Sequence, residues 1–532
     1  MRTIPEQFNL GVDLTRGQSD KGLGKHPALL WQNAIGHEAT YSYAQLDTLS
    51  DRVASSLRRL GVRRGDRVFF RLPNRPEFYI AALAVAKLGG IFIPSSTQFR
   101  DAEVRYRLND SGSVAVVTTT RLVDVFERVR ADCSGLQHVI VVDEDGGSVA
   151  SDQIDFTRLV NDGSEHFEPA DTRNDEPAFI AYTSGTTGDP KGVVHLHRYP
   201  LAYEALVRHW HDYRPDDIVA CPAEVGWMLP VASTFLYAMA HGLTVVLYDA
   251  QGGRFDPQTW FGLFDKYRIS NFTGTPTMYR MLMAEAGAAN KCDLSSWRHG
   301  VTAGEPLPAD TFEAIRRQFG ISVLDGIGMS ECMVYCFNRV GTRIKPGSCG
   351  RPGPGTIIEL TDDDMKPVPQ GSEGVLCVKR DSHPGMMKEY WNKPERTAEI
   401  FRGEWYYSGD VLVVDEEGDF WFRGRADDVI KASGYRISPF EVESCLVSHP
   451  AVLEAAAVES PDAIRGNVVK AFVVLRAGEK PSQEIVLQIQ EHARSQMAPY
   501  KCPRLIEIVD SLPKTTSGKI KRAELRRIVK SR

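Results

Sequence analysis

Short β-branched or aromatic runs alternate with helical periods from residue 42 to residue 267, and this alternation narrows the fold more than any other feature of the chain. Leu46, Leu49, Val53, Leu57 and Leu60 recur at steps of three and four, and Gly61 follows as a stop, so residues 42–60 are expected to form an amphipathic helix. An apolar run over 67–72 leads to a second helical stretch over 76–88, closed by Gly89-Gly90 and followed by Ile91-Phe92-Ile93. Further runs at 114–118, 139–142 and 245–248 are separated by helical patterns such as 258–267. Such a chain builds an α/β architecture of largely parallel sheets covered by helices. At 532 residues it exceeds one ordinary core, so these sheets are expected in a large, subdivided N-terminal domain.

After about Tyr407 the texture changes. Residues 411–414, the turn Asp415-Glu416-Glu417-Gly418 and residues 420–423 read as a β-hairpin. The polar segment Arg425-Ala426-Asp427-Asp428 follows, then a helix near 439–448, strands near 453–458 and 469–475, and a helix over 482–497. This is a small α+β unit of a size that folds alone. The expected domains are therefore 1–426 and 427–532.

A net charge of −6 leaves no electrostatic footprint for nucleic acid, and the basic stretch 519–530 reads as a solvated helix face around Leu525 and Ile528. Nine scattered cysteines without a close CxxC pair argue against a disulfide scaffold or zinc knuckle and point to a reducing compartment. Cys332 and Cys336 stand four apart, a spacing that could place two thiols on one helical face, but their apolar neighbours favour buried structural cysteines. No apolar run reaches membrane length and no secretory h-region is present, so the protein is expected in the cytoplasm with no membrane span. His195 and His197 are assigned to packing or helix ends, not to a metal.

The apolar run 177–182 feeds into Thr183-Ser184-Gly185-Thr186-Thr187-Gly188-Asp189-Pro190-Lys191-Gly192, a Gly- and hydroxyl-rich loop at a strand end. Backbone N–H groups of such a loop can surround an anion. Gly185 and Gly188 permit close approach, the hydroxyls of Ser184, Thr186 and Thr187 donate hydrogen bonds, and Lys191 supplies positive charge. These are the parts a polyphosphate needs. The loop is not a Walker A motif, because its lysine precedes a glycine and no Gly-Lys-Ser/Thr opens a helix.

The loop resembles the phosphate-binding motif of the adenylate-forming superfamily, which comprises acyl-CoA synthetases, peptide-synthetase adenylation domains and luciferases. Further motifs follow in the family's order. Ala303-Gly304-Glu305-Pro306 is similar to the segment lying against adenine. Asp325-Gly326-Ile327-Gly328-Met329-Ser330-Glu331 resembles the aromatic-Gly-x-Thr-Glu motif, with Ile327 where an aromatic is commoner and Ser330 replacing threonine. The resemblance implies Mg²⁺ on Glu331 and an α-phosphate contact from Ser330. Tyr407-Ser408-Gly409-Asp410 is similar to the segment whose aspartate accepts from the ribose hydroxyls. The run from Gly424 to Arg436 looks like the interdomain motif, implying ribose contact by Arg425, a hinge at Asp427 and coenzyme A contact by Ser433, Gly434, Tyr435 and Arg436. Pro513-Lys514-Thr515-Thr516-Ser517-Gly518-Lys519 resembles the C-terminal catalytic loop. Lys519, Glu331 and Thr187 are the catalytic residues implied, and Thr183 through Gly188, Lys191, residues 304–306, 325–327 and Lys519 join Asp410 and Arg425 around ATP.

By this resemblance the substrate carboxylate attacks the α-phosphorus of Mg-ATP, giving acyl-AMP and pyrophosphate. A thiol, that of coenzyme A, then takes the acyl group after the small domain turns about Asp427. Acetyl-type enzymes place a tryptophan where this chain has Gly328, so a roomier acid pocket is expected, lined by Trp227, Met228, Leu229, Gly328 and Met329. A medium-chain, alicyclic or aromatic acid follows, and the Gly-Ile-Gly start of the motif resembles benzoate-type ligases. Two rival readings stand beside it: a stand-alone adenylation enzyme loading a carrier protein, and a non-catalytic nucleotide-binding relative. Amino-acid-activating types usually present an aspartate just ahead of the pocket; around 224–227 there is none, though Glu224 is acidic. A homo-oligomer is compatible with the sequence.

Overall fold

The computed structural model describes residues 4–144, 146–147, 149–183, 189–426, 428, 430–432, 435–462, 466–497, 499–514 and 520–531. Two compact units emerge: Met1–Thr183 with Pro190–Ile357 and Lys379–Glu404, and Ile358–Val378 with Trp405–Arg532.

The larger unit is built on two sheets. One runs in the order Ile154–Asp155, His138–Val142, Ala115–Thr119, Arg67–Phe70, Ile91–Pro94, Pro177–Thr183, Lys191–Leu196, and every neighbouring pair is parallel except the last. The other has a parallel centre of Val323–Met329, His299–Thr302, Asn271–Gly274, Ile218–Ala220, Thr244–Asp249 and Pro27–Asn33, flanked by antiparallel strands. Successive side chains of a strand point to opposite faces. Accordingly Val68 and Phe70 enter the core shared by both sheets, while Phe69 packs outward with Val116, Val139 and Phe126.

Helices Tyr43–Arg59 and Pro76–Lys87 fill the layer between the sheets. The first begins as its sequence predicts, with a capping box in which Ser42 and Gln45 satisfy each other's backbone N–H. The second starts with Pro76 at its first turn and buries almost every residue, as a helix enclosed on all sides must. Its one buried cation, Lys87, is 0% exposed and donates to Asp47 Oδ1 and Asp51 Oδ1 of the first helix, both at 2.6 Å. A third segment of this layer, Val231–Ala238, is wound as a π-helix and wholly buried.

In the smaller unit Ile358–Thr361 pairs antiparallel with Gly374–Lys379, and Trp405–Val414 with Phe420–Arg425, the expected hairpin. Beyond them lie the hairpin Ile430–Ala432 with Tyr435–Ile437, helix Pro439–Val447, and strands Val452–Asp462, Gly466–Leu475 and Leu505–Ile508 under helix Gln483–Gln496. The fold is thus a large α/β domain with mostly parallel sheets and a smaller α+β domain, as the alternation of patterns implied.

Cys332 and Cys336 are buried, as expected, on strand Cys332–Phe337, which turns back antiparallel along Val323–Met329. One local expectation is corrected. The basic helix Arg522–Lys530 is not simply a solvated face. Arg522 pairs with buried Glu443 at 2.6 Å, and Arg526 with Asp428 at 2.6 Å, while Leu525 and Val529 are buried on its apolar side.

Candidate active site

In open α/β sheets, ligands gather at the carboxyl ends of the parallel strands. Both sheets of the larger unit carry the predicted motifs there. Strand Pro177–Thr183 ends at the phosphate-loop candidate and returns as Lys191–Leu196, with Thr183 opposite Lys191. The intervening Ser184, Gly185, Thr186, Thr187 and Gly188 lie outside the described residues. Strand Lys191–Leu196 ends its sheet's order, and residues 387–391 run along it: Trp391 N donates to Gly192 O at 2.7 Å, Lys388 N to Val194 O at 2.9 Å and Val194 N to Glu389 O at 3.0 Å. An unpaired edge strand is thereby covered. Gly192 suits this approach, because an added Cβ would stand 2.8 Å from Ile180 Cγ2 and 3.3 Å from Trp391 Cβ.

This added chain brings Tyr390 to Lys191. The ammonium donates to the phenol oxygen at 3.3 Å and stands 4.5 Å from the ring centre. The phenol in turn donates to Glu331 Oε1 at 2.5 Å. Glu331 is 7% exposed and Tyr390 3% exposed. Glu331 follows Ser330 in the two-residue turn between strands Val323–Met329 and Cys332–Phe337, and Met387 N donates to its backbone carbonyl at 2.8 Å. Tyr203 adds a clamp: its hydroxyl accepts from Met333 N at 3.0 Å and donates to Gly385 O at 3.0 Å.

Among the described residues no three or more His, Cys, Asp or Glu side chains gather into a metal cage. A single largely buried carboxylate fits Mg²⁺, which takes much of its shell from water and substrate phosphates.

At the neighbouring strand ends, Gly304 adopts φ 91° in the turn after His299–Thr302, a conformation that favours glycine. Glu305 turns its carboxylate to Thr277 and Arg280, and Pro306 leads to Leu307. Asp325, 6% exposed, accepts from Gly326 N at 2.9 Å and Leu307 N at 3.4 Å, tying this turn to its own strand. Burial pushes its carboxyl up to about 7.

Gly328 also has a packing reason: a Cβ there would run into the backbone of Val334 on the facing strand. Val334 itself takes φ 34°, a strained value for a β-branched side chain. Ile327 and Met329 are half-buried on the same strand. Trp227 caps the segment Met228–Pro230 and packs edge-on to Phe99 at 5.9 Å, while Met228 and Leu229 lie against the central core. Glu224 is committed: its carboxylate accepts from Ser96 Oγ and Thr97 N, both at 2.9 Å, and burial raises its pKa.

His195 and His197 pack, as expected. His195 stacks on Phe179 at 4.7 Å, and His197 Nδ1 accepts from Leu10 N at 3.1 Å. Burial lowers their pKa values to about 3 and about 4, which keeps both neutral.

In the smaller unit the two residues predicted at ribose meet each other. Asp410 and Arg425 are opposite in register, and Arg425 Nη1 lies 2.8 Å from Asp410 Oδ1 and donates to Ser408 O at 2.9 Å. Gly409, at φ 74°, leaves room for the guanidinium against its backbone. Asp427, Ser433, Gly434 and Lys519 lie outside the described residues, as do the side chains of Tyr435 and Arg436. Lys514 and Ile520, on either side of the segment that carries Lys519, form an antiparallel bridge.

Sequence reasoning missed Tyr390 and Tyr203. The aromatic pair Tyr390-Trp391 ahead of Asn392-Lys393-Pro394 in a polar stretch was the available signal for the first.

Polar groups at the strand ends, with a lysine and a carboxylate on one phenol, suit a phosphate-bearing ligand. Residues 18–391 match the AMP-binding enzyme family and residues 441–519 the AMP-binding enzyme C-terminal domain, so the chain belongs to that family. It is 39% identical to an uncharacterized acyl–CoA ligase, YtcI, of Bacillus subtilis (strain 168), over 98% of this chain and 96% of the relative. It is 37% identical to the mitochondrial acyl-coenzyme A synthetase ACSM3 of Pongo abelii, over 98% of this chain and 90% of the relative. The crystal structure of the anthranilate CoA ligase AuaEII in complex with anthranoyl-AMP superposes with a TM-score of 0.90 at 30% identity, covering 99% of this chain and 98% of that one. The chain falls in the acyl-CoA ligase branch of adenylate-forming enzymes, with ATP and coenzyme A as co-substrates. No described helix is long and apolar enough to cross a membrane.

Proposed function

We propose that this enzyme joins a medium-chain, alicyclic or aromatic carboxylic acid to coenzyme A through an acyl-adenylate, releasing AMP and pyrophosphate. The observation that carries this reading is the Lys191–Tyr390–Glu331 chain, which sets a cation and a carboxylate at the end of the strand that enters the phosphate loop. Lys191 and the loop from Thr183 to Gly188 hold the departing pyrophosphate. Mg²⁺ on Glu331, when bound, neutralises phosphate charge. Gly304, Glu305, Pro306, Asp325, Gly326 and Ile327 line adenine, Asp410 and Arg425 receive the ribose, and Ser330 and Thr187 contact phosphate. Lys519 stabilises the charge that grows on the α-phosphate as the substrate carboxylate attacks. Ser433, Gly434, Tyr435 and Arg436 serve coenzyme A.

The working division is 1–426 and 427–532, with Asp427 as the hinge between the two half-reactions. Trp227, Met228, Leu229, Gly328 and Met329 serve the acid site. A ring is favoured by the Gly-Ile-Gly segment and by the likeness to a ligase that carries anthranoyl-AMP. The engagement of both Glu224 oxygens supports an acid without an α-amine, because that carboxylate already has its donors. None of the nine cysteines is in a disulfide, which supports a cytoplasmic location.

The test is acid-dependent exchange of labelled pyrophosphate into ATP across acetate, butyrate, hexanoate, cyclohexanecarboxylate, benzoate and anthranilate. Exchange with one of the last four, weak exchange with acetate, and thioester formation with coenzyme A rather than a phosphopantetheinyl carrier protein are expected. Absence of exchange with every acid would overturn the reading.

A further inference from the structure

A cation and an anion brought near each other in a largely buried site collapse into a direct ion pair unless something holds them apart. Here a neutral phenol stands between them. Tyr390 accepts from the Lys191 ammonium and donates to Glu331 Oε1, and among the described residues neither Lys191 nor Glu331 enters a direct ion pair. A tyrosine hydroxyl can do both at once, because it carries one proton and oxygen lone pairs. Glu331 Oε2 receives no hydrogen bond from any described residue.

The phenol is itself fixed. Residues 387–391 lie along strand Lys191–Leu196, with Val193 opposite Tyr390, and Tyr390 N donates to Thr397 Oγ1 at 3.0 Å. Met387 N holds the Glu331 carbonyl, so the same short segment grips the carboxylate's backbone, its side chain and the lysine. Its position is set by sheet hydrogen bonds rather than by the charges it separates.

We propose that Tyr390 is a positioning residue that acts as a spacer, holding Lys191 and Glu331 short of a direct ion pair so that each charge stays available. The lysine then keeps ammonium protons for phosphate, and the carboxylate keeps Oε2 for a divalent cation. This rests on the roles proposed above for Glu331 and Lys191. Without the hydroxyl the two charges close on one another, and Mg-ATP has to break that pair before it binds.

Equilibrium binding of ATP by calorimetry, with Mg²⁺ titrated and with EDTA, tests this independently of turnover. For Tyr390→Phe the Mg²⁺ concentration that half-saturates the enhancement of ATP binding is expected to rise about tenfold, the scale of one hydrogen bond to a charged group. The thermal midpoint is expected to hold or rise, since a direct pair replaces the bridged one. A merely structural tyrosine would instead lower the midpoint and leave the Mg²⁺ requirement alone. Removing the lysine in the same background frees Glu331 again, so Lys191→Met/Tyr390→Phe should need less Mg²⁺ than Tyr390→Phe. Unchanged Mg²⁺ dependence in Tyr390→Phe, or no recovery in the double variant, overturns the spacer. Glu331→Gln separates the two levels. If it leaves the Mg²⁺ dependence intact, the metal role of Glu331 fails; if it abolishes the dependence while Tyr390→Phe does not shift it, only the spacer fails.

Discussion

Asp325 shows how a single residue ties the site to pH. Its carboxyl is raised by burial to about 7, with the N–H groups of Gly326 and Leu307 opposing the rise. An unfolded aspartate titrates near 3.9, so between about pH 4 and 7 the folded chain keeps a proton that the unfolded chain has lost. Stability from this group is therefore full below about pH 4 and is lost as pH climbs through 7. Asp325→Asn cannot titrate, so its unfolding free energy from urea titration, relative to wild type, should climb from pH 5 to 7 and level off above, at a steepest slope of about 1.4 kcal/mol per pH unit. Parallel curves for the two proteins would refute the assignment. Lys191, Glu331, Asp410 and Arg425 were legible in the sequence because each stands in a motif whose chemistry suits charge. Tyr390 was not, because its partners lie 199 and 59 residues away and nothing local marks a bridging hydroxyl.

At the scale of elements, the hairpin Val323–Met329 with Cys332–Phe337 gives Gly328 a packing role. If the glycine only left space for the acid, Gly328→Ala would change acid preference and leave stability alone. Since a Cβ meets the backbone of Val334, the variant should lose about 1–3 kcal/mol, the usual cost of overpacking, for every acid tested. Urea unfolding alongside pyrophosphate exchange distinguishes the two outcomes. Helix Tyr43–Arg59 was readable to within a residue or two because period and capping box agree. Strand Cys332–Phe337 could not be told from a helix in the sequence, because a fully buried apolar run has no polar face to reveal its period. The π-helix Val231–Ala238 escaped for the same reason: it is apolar on every side.

For the whole molecule, alternation of runs disclosed an α/β chain with a smaller α+β part, but not which strands are neighbours. Strand Pro27–Asn33 pairs with Thr244–Asp249, more than 200 residues on, and no local pattern encodes that choice. The two half-reactions offer a test at this scale. Lys519→Ala should slow acyl-AMP formation about 10²- to 10³-fold, as loss of one preorganised charge-stabilising donor does, while thioester formation from supplied acyl-AMP continues. Failure of the second reaction as well would show that Lys519 is not confined to adenylation.

The segment 387–391, bridged to Lys191–Leu196, also fixes an order of assembly during synthesis. Lys191 and Glu331 leave the ribosome before Tyr390, and at about 5–20 residues per second the 59 residues from Glu331 to Tyr390 take about 3–12 s. During that interval the nascent chain holds both charges and no hydroxyl to part them. Any product cut short before Tyr390 stays in that condition, with the edge of Lys191–Leu196 uncovered, so translation has to pass this tyrosine before the lysine and the carboxylate can be kept apart.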